Sequence, residues 1–140
     1  MADDDFVFSI KGLAEASGLS RPTIRYYESI GLIPPARRDA AGYRHYTRTD
    51  VARLTFIRRC RDFGFTLAQT RRLAGLSATG QSDCNAVRAV AAEHLAAVRT
   101  KLEECRRLEG QLARFVDACD AACSGGPAQD CVVLAELSGR

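Results

Sequence analysis

The chain has 140 residues, 46% of them hydrophobic, which supplies one small core, or one small core plus an interface, and excludes a disordered chain. Twenty Lys and Arg against 17 Asp and Glu leave a net charge of +3, too little by itself to indicate nucleic acid. No apolar run approaches the twenty or so residues that cross a bilayer, and an acidic start (Asp3, Asp4, Asp5) is no signal peptide, so a cytoplasmic protein without a membrane partner is expected.

Residues 8–32 carry two short helical patterns around a tight turn. The first, about Lys11 to Ser17, is expected to bury Leu13, with Ala14 and Ala16 as further candidates. The turn Gly18-Leu19-Ser20 offers a glycine for a positive φ and a serine to cap the next helix, where Pro22 suits a first turn. That second helix, about Arg21 to Ile30, carries Thr23, Arg25, Tyr26 and Tyr27, and Gly31 ends it. Two short helices about such a turn predict a helix-turn-helix whose second helix enters the major groove.

Pro34-Pro35 then stops any helix. Asp39 to Gly42 form a turn between two short extended arms bearing Arg37, Arg38, Tyr43, Arg44 and Tyr46. An Arg- and Tyr-rich hairpin beside a helix-turn-helix reads as a wing along the DNA backbone. Across residues 21–72 there are twelve Arg, no Lys and four acidic residues, and Arg is the side chain suited to phosphates and guanine edges. Thr47 and Asp50 form a capping-box pattern, followed by Val51, Leu54, Phe56, Ile57 and Cys60 facing inward and Arg58, Arg59 and Arg61 facing out. Cys60 is expected to be a small buried hydrophobe. After Gly64, Thr66 opens a helix through Leu76 with Leu67, Leu73 and Leu76 inside. Residues 77–83 read as a linker, with Ser82 or Asp83 capping the long helix beyond it.

From Cys84 to Cys119 there is no proline. Ala91, Leu95, Val98, Leu102, Cys105, Leu112, Val116 and Cys119 alternate at spacings of four and three, interrupted at Glu109. This 3.5-residue period predicts a long helix packed on another long helix. Cys84 and Cys119 are five heptads apart, roughly 50 Å at about 1.5 Å per residue, so one chain cannot join them through this helix. An antiparallel homodimer can, by setting Cys84 of one protomer beside Cys119 of its partner. Cys105 lies mid-seam and reads as packing. Beyond Cys119, Gly125-Gly126-Pro127 breaks the helix, Cys123 and Cys131 flank the break, and Val132 to Leu137 predict a short apolar helical turn. His45 and His94 read as solvated rather than as ligands.

The runs Ser9-Ile10, Gly18-Leu19-Ser20, Thr23-Ile24-Arg25-Tyr26-Tyr27-Glu28, Gly31-Leu32-Ile33-Pro34, Gly42-Tyr43-Arg44 and Tyr46 follow one another as in the MerR family of transcriptional regulators, which the sequence resembles over about residues 9–119 and part of the tail. The likeness continues through Asp50 to Ile57 and Gly64 to Leu67. It implies a mainly α protein: a winged helix-turn-helix with a small β-hairpin wing (1–78), a linker and antiparallel coiled-coil dimerisation helix (79–118), and a metal-binding loop with a short helix (119–140). DNA contacts are expected from Arg25 and Tyr26 on the recognition helix, from Arg38, Tyr43 and Arg44 on the wing, and from Arg61, which the likeness favours among the third helix's arginines. The resemblance further implies a homodimer bound to promoter DNA within an over-long spacer. There the bound effector kinks and untwists the DNA so that RNA polymerase reads both promoter elements of metal efflux or detoxification genes.

The expected metal ligands are Cys84 of one protomer with Cys119, Cys123 and Cys131 of the other. Cys84, Cys119 and Cys131 form the core set, and the family's usual ligand spacing leaves open whether Cys119 or Cys123 is the first ligand of the loop. Soft thiolates select copper(I), zinc, cadmium, lead or mercury over magnesium or calcium. A third thiolate suits a divalent ion, since a monovalent one is already overbalanced by two, and copper(I) sensors of the family lack a cysteine at Cys84. The absence of histidine in the loop tilts the choice from zinc towards cadmium, lead or mercury. A copper(I) sensor, or an iron–sulfur or thiol redox sensor on the same scaffold, is the alternative. An enzyme is not expected, because no cysteine pairs with a histidine at a plausible site.

Overall fold

The computed structural model describes residues 7–80, 83–122 and 125–139; Ser82, a candidate cap, and Cys123, a candidate ligand, lie outside them. The chain divides within its longest helix, at Ala91 and Ala92, into two compact units.

In the first unit, α1 (Ile10–Ser17) starts on Ser9, whose hydroxyl accepts from the Gly12 amide at 3.1 Å, and stops at Gly18, left-handed at φ 75°. A side chain at Gly18 would be strained by that φ, while its Cβ would lie in ordinary contact with the Arg58 side chain. α2 (Arg21–Ser29) begins on the Ser20 hydroxyl, which accepts from the Thr23 amide at 3.2 Å. Its chain leaves through Gly31. α3 (Arg48–Asp62) opens with the expected capping box: the Asp50 carboxylate accepts from the Thr47 amide at 2.9 Å, and the Thr47 hydroxyl accepts from the Asp50 amide at 3.4 Å. α4 (Leu67–Thr79) opens with a second box, Thr66 with Gln69. Leu13, Ile24, Tyr27, Leu32, Ile33, Tyr46, Leu54 and Ile57 make the core.

Three expectations change. Ala16 is exposed and Ser17 is buried instead, because Leu13 and Ser17 are four apart and share a helix face; Ser17 tolerates burial by accepting from the Leu19 amide at 3.4 Å. Arg58 is half-buried against the Gly18 turn rather than outward. α4 runs one turn further than expected, through Ser77 to Thr79, before Gly80 at φ 61° ends it.

The wing is a two-stranded antiparallel ribbon, β1 (Arg37–Arg38) with β2 (Arg44–His45), in the register Arg37 to His45 and Arg38 to Arg44. Tyr46 continues it inward by exchanging backbone hydrogen bonds with Phe8 at 2.7 and 3.0 Å, which ties the wing to the chain entering α1. A second apolar cluster joins Cys60 of α3, Leu73 of α4 and Val90, with Phe56, Phe65 and Leu76 packed against it. Burial pushes the Cys60 thiol pKa up, consistent with a packing role.

Val90 belongs to α5 (Cys84–Ala122), a helix of 39 residues. Its entry is capped by Asp83, whose carboxylate accepts from the Asn85 amide at 2.9 Å. In the second unit, α5 presents Leu95, Val98, Leu102, Leu112 and Val116, all 47–59% exposed in the single chain. Gly125 at φ 81° follows, then a 3-10 turn at Ala128–Asp130 and α6 (Val132–Leu137). Among the described residues no helix is long and apolar enough to cross a membrane.

Candidate functional site

α2 owes its outward face to its buried one. Ile24 and Tyr27, three apart, are fixed in the core, so Arg21, Arg25, Tyr26 and Ser29 are presented to solvent. Tyr26 is 51% exposed, with its ring centroid 6.1 Å from that of Tyr27. Arg25 and Tyr26 therefore stand together on an open helix face of the width a major groove admits.

The wing's tip is organised by one carboxylate. Asp39 accepts from the Ala41 and Tyr43 amides, both at 2.9 Å, and pairs with His45 Nε2 at 2.7 Å; His45 is thus engaged with Asp39 rather than simply solvated. Arg38 Nη1 reaches over to donate to the Gly42 carbonyl at 2.8 Å, and Tyr43, 71% exposed, projects from the turn. The His45 hydrogen bond first, and the Tyr43 amide next, hold the Asp39 carboxyl below its usual pKa of 3.8. A lowered folded pKa means stabilisation that is complete above the unfolded value and lost as pH falls through the folded one. Protection of the Ala41 and Tyr43 amides, followed by NMR relative to Asp39→Ala, should therefore persist down to about pH 4 and vanish below it. A wild-type wing no better protected than Asp39→Ala at neutral pH would contradict this.

Arg44 behaves differently from Arg38. It is half-buried, and its Nη1 lies 3.7 Å from Glu28 Oε2 of α2, with side-chain exposures of 30% and 18%. The other Glu28 oxygen accepts from the Ala36 amide at 3.4 Å. Burial, then the Glu28 charge, push the Tyr46 phenol pKa up, while Arg44 pulls it down. Glu28, Arg44 and Tyr46 thus form a polar joint between α2 and the wing. Arg61 is exposed on the last turn of α3, where its Nη1 donates to the Phe65 carbonyl.

Local sequence pattern assigns no role to Glu28 or to Arg71. Arg71 of α4 donates to the Ile30 carbonyl at 2.7 Å and to the Gly31 carbonyl at 3.5 Å. Its partners lie forty and forty-one positions away, and no local pattern announces such a contact. Glu28 is visible within the Arg-Tyr-Tyr-Glu run, but its partner arrives only when the wing folds back.

The thiols sit at element ends. Cys84 is the first residue of α5 and exposed; Cys119 is in its last turn and half-buried; Cys131, half-buried, precedes α6. Its amide closes the 3-10 turn on the Ala128 carbonyl at 3.0 Å. Cys105 is exposed mid-helix, as a seam residue is in a single chain. Among the described residues, one chain gathers no group of three or more His, Cys, Asp or Glu able to hold a metal ion. The donors are thiols, and such a set fits soft metal ions.

A helix-turn-helix with a two-stranded wing, followed by a long helix with an apolar seam, is the build of a DNA-binding regulator. Residues 8–75 match the MerR HTH family of regulatory proteins, and residues 51–115 match the family's DNA-binding region. The chain belongs to the MerR HTH family of regulatory proteins. It is 42% identical to an uncharacterized HTH-type transcriptional regulator of Pseudomonas aeruginosa, over 89% of this chain and 92% of that protein. It is 35% identical to a probable heavy metal-dependent transcriptional regulator of Haemophilus influenzae, over 94% of this chain and 99% of that one. Among solved structures it is similar to the transcription regulator PbrR691 from Ralstonia metallidurans CH34 in complex with lead(II), with a TM-score of 0.82, 34% identity, and 93% and 98% of the two chains covered.

Proposed function

We propose that the chain is a metal-responsive transcriptional regulator that binds promoter DNA as a homodimer and answers a divalent soft metal ion. The observation that carries this reading is the placing of Cys84 and Cys119 at the two ends of one 39-residue helix whose apolar seam is open to solvent. An antiparallel partner covers that seam and brings Cys84 of one protomer to Cys119 and Cys131 of the other, with Cys123 as the further thiol of the set. The heavy-metal-dependent relative and the lead(II)-bound regulator support the same reading.

Cys84 of one protomer with Cys119, Cys131 and Cys123 of the other would hold the ion, whose double charge would offset three thiolates better than that of copper(I). Zinc, cadmium, lead and mercury remain the candidate ions, with the loop's lack of histidine favouring the last three. The chain's own residues do the rest. Arg25 and Tyr26 read base edges, Arg38 and Tyr43 on the wing and Arg61 on α3 hold phosphates, and Arg44 acts at the joint between helix and wing. Val90 packs the first turns of α5 onto Leu73 of α4, so movement of α5 reaches the DNA-binding unit. Distortion of a promoter already bound, rather than release, is the output that lets RNA polymerase engage metal efflux or detoxification genes.

The test is a titration of the purified dimer with lead(II), cadmium(II) and copper(I), followed by thiolate-to-metal absorption. Cys84→Ser should weaken the divalent ions by roughly a hundredfold and leave copper(I) less affected. Divalent binding as tight as wild type would rule out the cross-protomer site.

A further inference from the structure

The end of the recognition helix is held by another element. Arg71 Nη2 donates to the Ile30 carbonyl at 2.7 Å, and Nη1 points to the Gly31 carbonyl at 3.5 Å. These carbonyls belong to the C-terminal end of α2, where a helix leaves its last acceptors without intrahelical partners and carries partial negative charge. A guanidinium answers both deficits at once, and its fork can span two carbonyls where an ammonium would hold one.

The same segment is internally bonded. Ile30, Gly31 and Leu32 amides donate to the Tyr26, Glu28 and Tyr27 carbonyls at 3.0, 3.1 and 2.9 Å. A pull on the Ile30 and Gly31 carbonyls is therefore felt by the turn that carries Tyr26 and Tyr27.

On α4, Arg71 is exposed while Leu73, two positions on, is buried in the cluster with Cys60 and Val90, and Leu76 packs against the same cluster. One helix of 13 residues thus grips the end of α2 with one side chain and the first turns of α5 with two others.

We propose that Arg71 is a positioning residue that couples the first turns of α5 to the recognition helix. Displacement of α5 about Val90 moves α4 through Leu73 and Leu76, and Arg71 passes that movement to the C-terminal turn of α2. The inference rests on α2 being the helix that reads DNA and does not depend on which metal, if any, is sensed.

The experiment is a double-mutant cycle on the full-length, metal-free protein, read by hydrogen exchange of the Ile30, Gly31 and Leu32 amides. Val90→Ala in the wild-type background should speed their exchange about fivefold, and in the Arg71→Met background by less than about twofold. Arg71→Lys should restore part of the response. Leu76→Ala, a milder change at a half-buried position, repeats the cycle, with circular dichroism confirming that each variant is folded. Equal increments in both backgrounds, or no increment from either α5-side variant in the wild type, would overturn the coupling. The metal titration plays no part in this cycle, so the two readings fail separately.

Discussion

Leu54→Ala is expected to destabilise the DNA-binding unit by about 3 kcal/mol, lowering its melting temperature by roughly 12–24 °C. Leu54 is fully buried midway along α3 and belongs to the cluster that also contains Ile24 and Tyr27 of α2 and Tyr46 at the base of the wing. Truncating it removes the transfer free energy of three carbons and leaves a cavity that three converging elements must collapse to fill. Domains of this size are stable by only about 5–15 kcal/mol, so the loss is a large fraction of the whole. It should also reach function, since α2 and the wing, the elements proposed to meet a duplex through Arg25 and Tyr43, both rest on this cluster. The control is Leu112→Ala in the second unit, where the side chain is 51% exposed in the single chain. It should leave the DNA-binding unit's unfolding unchanged while weakening the dimer. Thermal and urea unfolding of both variants checks this, and a Leu54→Ala cost below about 1 kcal/mol would mean that the core repacks around the gap.

What the sequence made legible was whatever local chemistry dictates. Ser20, Thr47 and Thr66 each precede a helix and each caps it, because a short side-chain oxygen before a run of amides has one obvious use. Leu54, Ile57 and Cys60 recur at three, and they are buried. The wing turn was visible in Asp39 and Gly42, since a carboxylate and a left-handed glycine at φ 85° make a turn from nearby atoms alone. Errors arose where tertiary neighbours decide. Alanine is apolar enough for either side of α1, so Ala16 could not be told from an interior residue until Leu13 fixed the face. Arg58 looked like a surface cation, yet the small Gly18 turn leaves room for its stem. Arg44 shares with Arg38 every local reason to seek phosphate, and its pairing with Glu28 is a tertiary contact that local pattern does not announce.

The thiol site divides along the same line. The heptad count from Cys84 to Cys119 is local information, and a single helix does carry both at its ends. Which thiols converge is assigned to two chains only by the proposed dimer; among the described residues one chain assembles no such cluster. Cys123, the rival to Cys119, falls outside the described residues.

That division makes a mixed dimer the most discriminating experiment. Homodimers of Cys84→Ser should bind lead(II) or cadmium(II) poorly at both ends, and so should homodimers of Cys119→Ser/Cys131→Ser. A heterodimer of the two variants is expected to recover one tight site. At one end it pairs a missing Cys84 with a loop lacking its cysteines; at the other, the intact Cys84 of the loop-deficient protomer meets the intact loop of its partner. If all ligands came from one chain, neither protomer of the mixture would carry a full set and nothing would be recovered. The two chains can be co-expressed with different affinity tags, the heterodimer isolated, and thiolate-to-metal absorption titrated. The expected recovery is about half the wild-type amplitude at near wild-type affinity, against a loss of roughly a hundredfold in each parent. Recovery with Cys123→Ser added to the Cys84→Ser protomer would show that Cys119 and Cys131 suffice, and its loss would make Cys123 a required ligand, alone or together with Cys119.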